Sequence, residues 1–276
     1  MIKIFLTVRN RLAITCKCIT ALKKFSQIEH KIYVYDNSTN YKEEEHFLYF
    51  SQLYKHNLIS QVNFTTIDST FHAFSKAVTC NLFGLQHSQD PEKNNYDFLL
   101  FMDNDMIVKP NWDTTLVQAW KDLKNFNLDN IKVVTQFPAG IRYFTNYRQK
   151  IAGKNAILGK LGGSGFWTVR PNFFEDVGYL DVKEFIGLDK KHDQIYWNLM
   201  DNASKGNSYI LGIKDKFCIH TGKIVGSTCA TLNKHYGDPN RGNLINFEKE
   251  DEFIDNMSFD EFYKYINNDK EMCEEW

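Results

Sequence analysis

The sequence predicts an α/β protein, with a mostly parallel central sheet flanked by helices and a helical tail at the C-terminal end. Three observations carry that expectation. Apolar stretches of strand and helix period alternate over the first 105 residues, as they do when helical crossovers join parallel strands. The run Phe98-Leu99-Leu100-Phe101-Met102 is apolar without alternation, the mark of a strand covered on both faces. It stops abruptly at Asp103-Asn104-Asp105, and the carboxyl edge of such a sheet is where ligands bind.

The elements follow in order. Residues 2–8 alternate and end in Arg9-Asn10-Arg11, which opens a helix running to Phe25. Residues 31–35 form a second strand, closed by Asp36-Asn37-Ser38. Helical character over 43–56 precedes a short strand near 61–67. Phe74, Ala77, Val78, Leu82 and Leu85 recur at helical spacing within 71–87, and 88–95 reads as a loop. Beyond the Asp103 strand, 110–124 reads as a helix, 131–135 as a strand and 143–160 as basic and irregular. Residues 161–169 start as a glycine-rich loop and become a strand. A helix over 189–200 and short strands over 208–213 and 217–220 follow. Residues 221–243 have no periodicity and read as a mobile loop. Ser258-Phe259-Asp260-Glu261 is a capping box that starts a final helix. Right-handed crossovers bring the polar ends of the first, second and Asp103 strands to one edge.

A chain of 276 residues can bury a large core. Its 43% hydrophobic and 24% charged content is that of a soluble globular protein. No stretch is long enough to span a membrane. The opening Met1-Ile2-Lys3-Ile4-Phe5-Leu6-Thr7 lacks a signal-peptide cleavage site, which places the protein in the cytoplasm. Six cysteines without metal or redox spacing are expected to be reduced thiols. Residues 248–276 carry eleven acids against three lysines, while the remainder holds 30 basic and 23 acidic residues. That mildly basic body suits a phosphate-bearing substrate and is too dilute for a nucleic-acid footprint. The acidic tail reads as a solvated face.

Asp103 and Asp105 can converge in a turn on one hard cation; paired carboxylates with phosphate oxygens are the usual way to hold Mg²⁺ or Mn²⁺ on a nucleotide. By spacing alone they would serve equally as a polar turn. As a strand-end carboxylate, Asp105 is expected to be exposed and to contribute little to packing. Asp36 can accept an N–H from a base edge, although Asp-Asn-Ser is also a turn signal.

In order, Thr7-x-Arg9-Asn10-Arg11, Asp36-Asn37-Ser38, a helix with Ala77 and Asn81, and Asp103-Asn104-Asp105 resemble a GT-A-fold glycosyltransferase of the family-2-like group. Gly162-Gly163-Ser164-Gly165-Phe166, Arg170-Pro171 and Glu175-Asp176-Val177-Gly178-Tyr179-Leu180-Asp181 extend the likeness to about His220. The resemblance implies a catalytic domain over 1–220, divided into a nucleotide-sugar half (1–108) and an acceptor half (109–220). Residues 221–276 would then be a loop and helical tail on the same domain. It implies a donor site of Thr7, Arg9, Asn10, Arg11, Asp36, Asn37, Ser38, Asp103, Asn104 and Lys223. Asp103, Asp105 and His220 would hold Mn²⁺ or Mg²⁺. Gly163, Ser164 and Trp167 would meet the acceptor. Asp193 is the implied catalytic base, with Asp189 competing because His192-Asp193 stands where the family carries Glu-Asp. The other histidines, His46 and His87 among them, belong to no constellation.

The reaction implied is transfer from a nucleotide-diphosphate sugar, UDP-linked because uracil offers Asp36 an imide N–H, to a hydroxyl acceptor with inversion. Two alternatives use the same edge. A nucleotidyltransferase would carry a glycine-rich phosphate loop after the first strand, which is missing here. A non-catalytic binding protein sits poorly with Asp36, Asp103, Asp105 and Asp193 occurring together. A glycan or glycoconjugate is favoured as acceptor over a modified base in DNA.

Overall fold

The computed structural model describes residues 1–38, 43–65, 72–136, 149–159, 165–182, 209–221 and 252–268. Its first half runs β1 (Ile2–Val8), α1 (Leu12–Phe25), β2 (His30–Asp36), α2 (Glu43–Lys55), β3 (Gln61–Phe64), α3 (His72–Ser88) and β4 (Phe98–Asp103). Then come β5 (Met106–Val108), α4 (Trp112–Asn125), β6 (Ile131–Gln136), β7 (Lys150–Ile151), β8 (Lys154–Gly159) and β9 (Phe166–Val169). The rest comprises α5 (Phe173–Val177), β10 (Tyr209–Ile213), β11 (Cys218–His220) and α6 (Phe259–Asn268).

Nine strands join one sheet in the order β3-β2-β1-β4-β9-β6-β10-β8-β7. The first four pair in parallel. β9 runs antiparallel to β4 and β6, while β10 is parallel to β6. β8 opposes β10 and β7 opposes β8. Seven strands therefore point one way and only β9 and β8 the other, so the sheet is mostly parallel and draws on both sides of residue 108. Val8 pairs with Asp36, and Thr7 with Asp103. The three chemistry-bearing strands thus stop level.

Strand alternation sends side chains to two cores. Ile4, Leu6, Val8, Val34, Leu100 and Met102 face the layer that includes Ile14, Cys18 and Leu22 of α1 and Trp112 and Leu116 of α4. Phe5, Tyr35, Leu99, Phe101 and Trp167 face Ala77, Cys80 and Phe83 of α3 and Phe173 and Phe174 of α5. Because β4 lies between both layers, its sequence shows no alternation. α3 and α5 pack so closely that a Cβ on Gly84 would meet the Phe174 ring at 2.7 Å. The capping box forms as expected: Glu261 Oε2 accepts from Ser258 N at 2.8 Å and from Ser258 Oγ at 2.6 Å. α6 then docks on α1 through Tyr263 and Phe25, whose rings lie 4.9 Å apart.

Several elements depart from expectation. The segment expected to be irregular contains the β7–β8 hairpin, turned by Ala152 (φ 50°) and Gly153 (φ 71°) rather than by an Asn-Gly pair. β5 and α5 are too short to show a period. A 3₁₀ turn at Lys93–Asn95 lies inside the expected loop. Residues 189–200, and 222–243 of the expected loop, lie outside the described residues. Among the described residues, no helix is long and apolar enough to cross a membrane.

Candidate active site at the carboxyl edge of the sheet

The chain leaves β1 through Asn10 (φ 53°) and Arg11 (φ 60°), two successive left-handed residues without glycine. That conformation costs free energy, and here it turns Arg11 back under the sheet edge. Arg11 Nη1 lies 2.9 Å from Asp105 Oδ2. On the other side, His220 Nε2 lies 3.2 Å from the same oxygen. β11 delivers that histidine by pairing with β5, so His220 sits opposite Met106, next to the Asp103–Asp105 turn. Thr221 N and Oγ1 both donate to the Asp105 carbonyl at 2.9 Å and close the arrangement.

Asp105 is therefore buried, its side chain only 9% exposed, contrary to the expectation of a free strand-end carboxylate. Burial pushes its carboxyl upward, but His220 and Arg11 outweigh burial and hold it well below the ordinary carboxylate range. Its Oδ1 is buried and has no hydrogen-bond partner among the described residues. Asp103 turns to the α3 side, where Lys76 Nζ sits 2.7 Å from Oδ1 and 3.0 Å from Oδ2. Gly165 O accepts from Asp103 N at 2.9 Å, which seats the glycine-rich segment against the turn.

The remaining donor-side residues divide into two groups. Thr7 Oγ1 is buried without a partner among the described residues, and Arg9 is half-buried at the end of β1. Asn104 braces the turn: its Nδ2 donates to Thr15 Oγ1 at 2.8 Å and to the Asn10 carbonyl at 3.3 Å. Asn37 is also a brace, donating its N–H to Val8 O at 2.8 Å and accepting from the Thr65 hydroxyl. Asp36 accepts from Ser38 N at 2.9 Å, from Ser38 Oγ, and from His46 Nδ1 at 3.0 Å.

Trp167 is a correction. Its ring is buried 4.2 Å from Phe101 in a near-parallel stack, inside the α3–α5 core, so it is packing rather than an acceptor contact. β9 is covered on both faces, which leaves no strand position open to a ligand. Gly163, Ser164, Asp189, Asp193 and Lys223 lie outside the described residues. Sequence reasoning missed Lys76 and His46. Lys76 had a signal, a lysine adjoining the apolar stripe of α3; His46 had only its place one turn before Phe50.

Two carboxylates and an imidazole form a donor set suited to Mn²⁺ or Mg²⁺. Asp105 and His220 already converge, and the unpartnered Asp105 Oδ1 is an open acceptor, so the residues fit such an ion. Among the described residues, no three ligand-type side chains are gathered as a metal site, and Asp103 is paired with Lys76 instead. Cys18 and Cys218 lie nearby, and burial pushes both thiols up, so they stay protonated and act as packing.

Neither a protein-family model nor a curated protein matches this sequence. Solved structures do. The mannosyltransferase PcManGT from Pyrobaculum calidifontis, solved with GDP-Man and Mn²⁺, aligns with a TM-score of 0.53 at 11% identity, over 88% of this chain and 67% of its own. GalNAc-T7, solved with UDP, GalNAc and Mn²⁺, aligns with a TM-score of 0.52 at 10% identity, over 77% and 42%. S. aureus TarS aligns at 0.45 and 15% identity, over 79% and 36%. The chain thus spans about two fifths of GalNAc-T7 and about a third of TarS. The molecule has the fold of the GT-A glycosyltransferases. At these identities the likeness is one of fold.

Proposed function

We propose that this protein is a glycosyltransferase that moves a hexosyl group from a nucleotide-diphosphate sugar to a hydroxyl acceptor, a glycan or glycoconjugate, with inversion. The observation that carries the proposal is the buried group Arg11–Asp105–His220 beside Lys76–Asp103. A purely structural turn has no need of two carboxylates each matched to a buried cation at the ligand edge of the sheet.

The nucleoside would lie over β1 and β2, with Thr7 and Arg9 beside it. Asp36 would accept the imide N–H of uracil at the acceptor site its three intramolecular bonds leave open, which favours UDP. Arg11 and Lys76 would offer cationic N–H groups to the diphosphate. Asp103, Asp105 and His220 would hold Mn²⁺ or Mg²⁺, whose chemistry is to neutralise charge growing on the departing diphosphate. Asp193, or Asp189 beside it, would take the acceptor's proton as the hydroxyl attacks. Gly163 and Ser164 would border the acceptor. Lys223 and the loop beyond it would cover the diphosphate and exclude water. The buried thiols of Cys18 and Cys218 support a reducing compartment, the cytoplasm.

The test is incubation with labelled nucleotide sugars and Mn²⁺, scoring nucleoside diphosphate released only when a hydroxyl acceptor is supplied. UDP should bind more tightly than GDP, ADP or CDP by calorimetry. Absence of binding to every nucleoside diphosphate would remove the proposal.

A further inference from the structure

His46 lies on α2, 1% exposed, and its ring packs edge-on to Phe50 at 6.0 Å. Nδ1 sits 3.0 Å from Asp36 Oδ2 and 3.3 Å from Ser38 Oγ. An ionised carboxylate only accepts, so Nδ1 carries the proton and donates it. Nε2 is buried with no partner among the described residues. A buried orphan of that kind is destabilising. Leucine or phenylalanine would fill the same volume without it. What the imidazole adds, and an apolar side chain cannot, is the Nδ1–H directed at Asp36.

The opposite oxygen of Asp36 is held as firmly. Oδ1 accepts from Ser38 N at 2.9 Å and from the Ser38 hydroxyl, which in turn accepts from Asn10 N at 2.8 Å. The carboxylate is thus gripped from both ends, and the grip ties α2 to the loops after β1 and β2. Asn10 continues directly into Arg11 and so into Asp105. A polar chain therefore runs along the sheet edge from His46 to His220.

We propose that His46 is a positioning residue for recognition of the nucleotide base: it fixes the Asp36 carboxylate so that one acceptor direction faces the base's imide N–H. This rests on the donor site proposed above. With the grip released, Asp36 would rotate toward Ser38 or water, and the protein would bind a nucleoside diphosphate through its phosphates with little regard to the base. A merely structural His46 would instead lower stability and leave base preference untouched.

The test uses the full chain with His46→Asn, His46→Gln and His46→Phe, reading calorimetric affinities for UDP and GDP together with the thermal midpoint. Asparagine places an amide N–H close to the Nδ1 position, whereas glutamine reaches the Nε2 position and phenylalanine has neither donor. The expected result is a fall of about tenfold in UDP affinity for His46→Phe and His46→Gln. GDP affinity should change little, and His46→Asn should restore the UDP:GDP ratio. Equal ratios in His46→Asn and His46→Gln would overturn the proposal even if His46→Phe does not fold. A wild-type UDP preference that survives in all three variants refutes His46 positioning alone. A wild-type chain that binds neither nucleotide refutes the donor site as well.

Discussion

Replacing Asp105 with alanine tests the central geometry, because the structure reverses what its place at a strand end suggests. The substitution removes a carboxylate paired with Arg11, whose side chain is 4% exposed, and with His220. Breaking a buried pair by deleting one partner costs about 3–5 kcal/mol, since the remaining charge keeps its desolvation penalty. For a chain of this size, that should lower the thermal midpoint by roughly 6 °C or more. The double variant Asp105→Ala/Arg11→Met should recover a good part of the loss, because the stranded cation is gone and the pair's coupling is removed with it. Differential scanning calorimetry of the four proteins gives the cycle. Mn²⁺-dependent nucleotide binding should be absent from both Asp105 variants, whatever their stability. An Asp105→Ala midpoint equal to wild type would refute the buried-pair argument, and a double variant no better than the single would do the same.

The other predictions follow from named residues. Asp193→Asn should reduce turnover by roughly 10²–10⁴-fold with donor affinity nearly unchanged, and proton NMR of the first product should show an inverted anomeric centre; the same loss from Asp189→Asn alone would move the base to Asp189. Lys76→Met releases Asp103, so Mn²⁺ alone should bind more tightly by calorimetry while UDP binds more weakly, and tighter UDP binding would show that Lys76 does not meet the diphosphate. Burial holds the His87 imidazole below its ordinary value. Unfolding therefore takes up a proton in mild acid, and the stabilisation present above about pH 6.5 is lost as pH falls. The thermal midpoint of His87→Asn should accordingly drop less than wild type between about pH 7 and pH 5.

Long elements were legible because their signals are redundant. β1, α1, α3 and α4 each repeat one period over enough residues that no other element fits, and β4 is an unbroken apolar run that stops at two carboxylates. β5 carries three residues and α5 five, fewer than a period needs to establish itself. The β7–β8 hairpin was hidden because Ala152 takes a positive φ, a conformation that alanine does not advertise. Its cause is tertiary: Ala152 N donates to Asp122 Oδ2 at 2.7 Å, so a side chain on α4 holds the turn.

The site was legible as composition and hidden as geometry. Asp36, Asp103, Asp105 and His220 can be picked out as residue types at strand ends, but what each one faces depends on residues far away in sequence. Arg11 reaches Asp105 across 94 positions and His220 across 115. The first contact needs two consecutive left-handed residues that carry no glycine to announce them. The second needs β5, which no period reveals. Burial followed from the same two devices: once Arg11 and β11 close over the turn, a carboxylate that sequence position marks as exposed becomes the centre of a paired cluster. Lys76 and His46 were missed for a related reason. Each belongs to a helix whose period announces its core face, and neither period says that a polar side chain at the margin turns inward to a carboxylate. Polar partnership across a parallel sheet is written in the register of β1 against β2 and β4, and register emerges only when the strands are assembled.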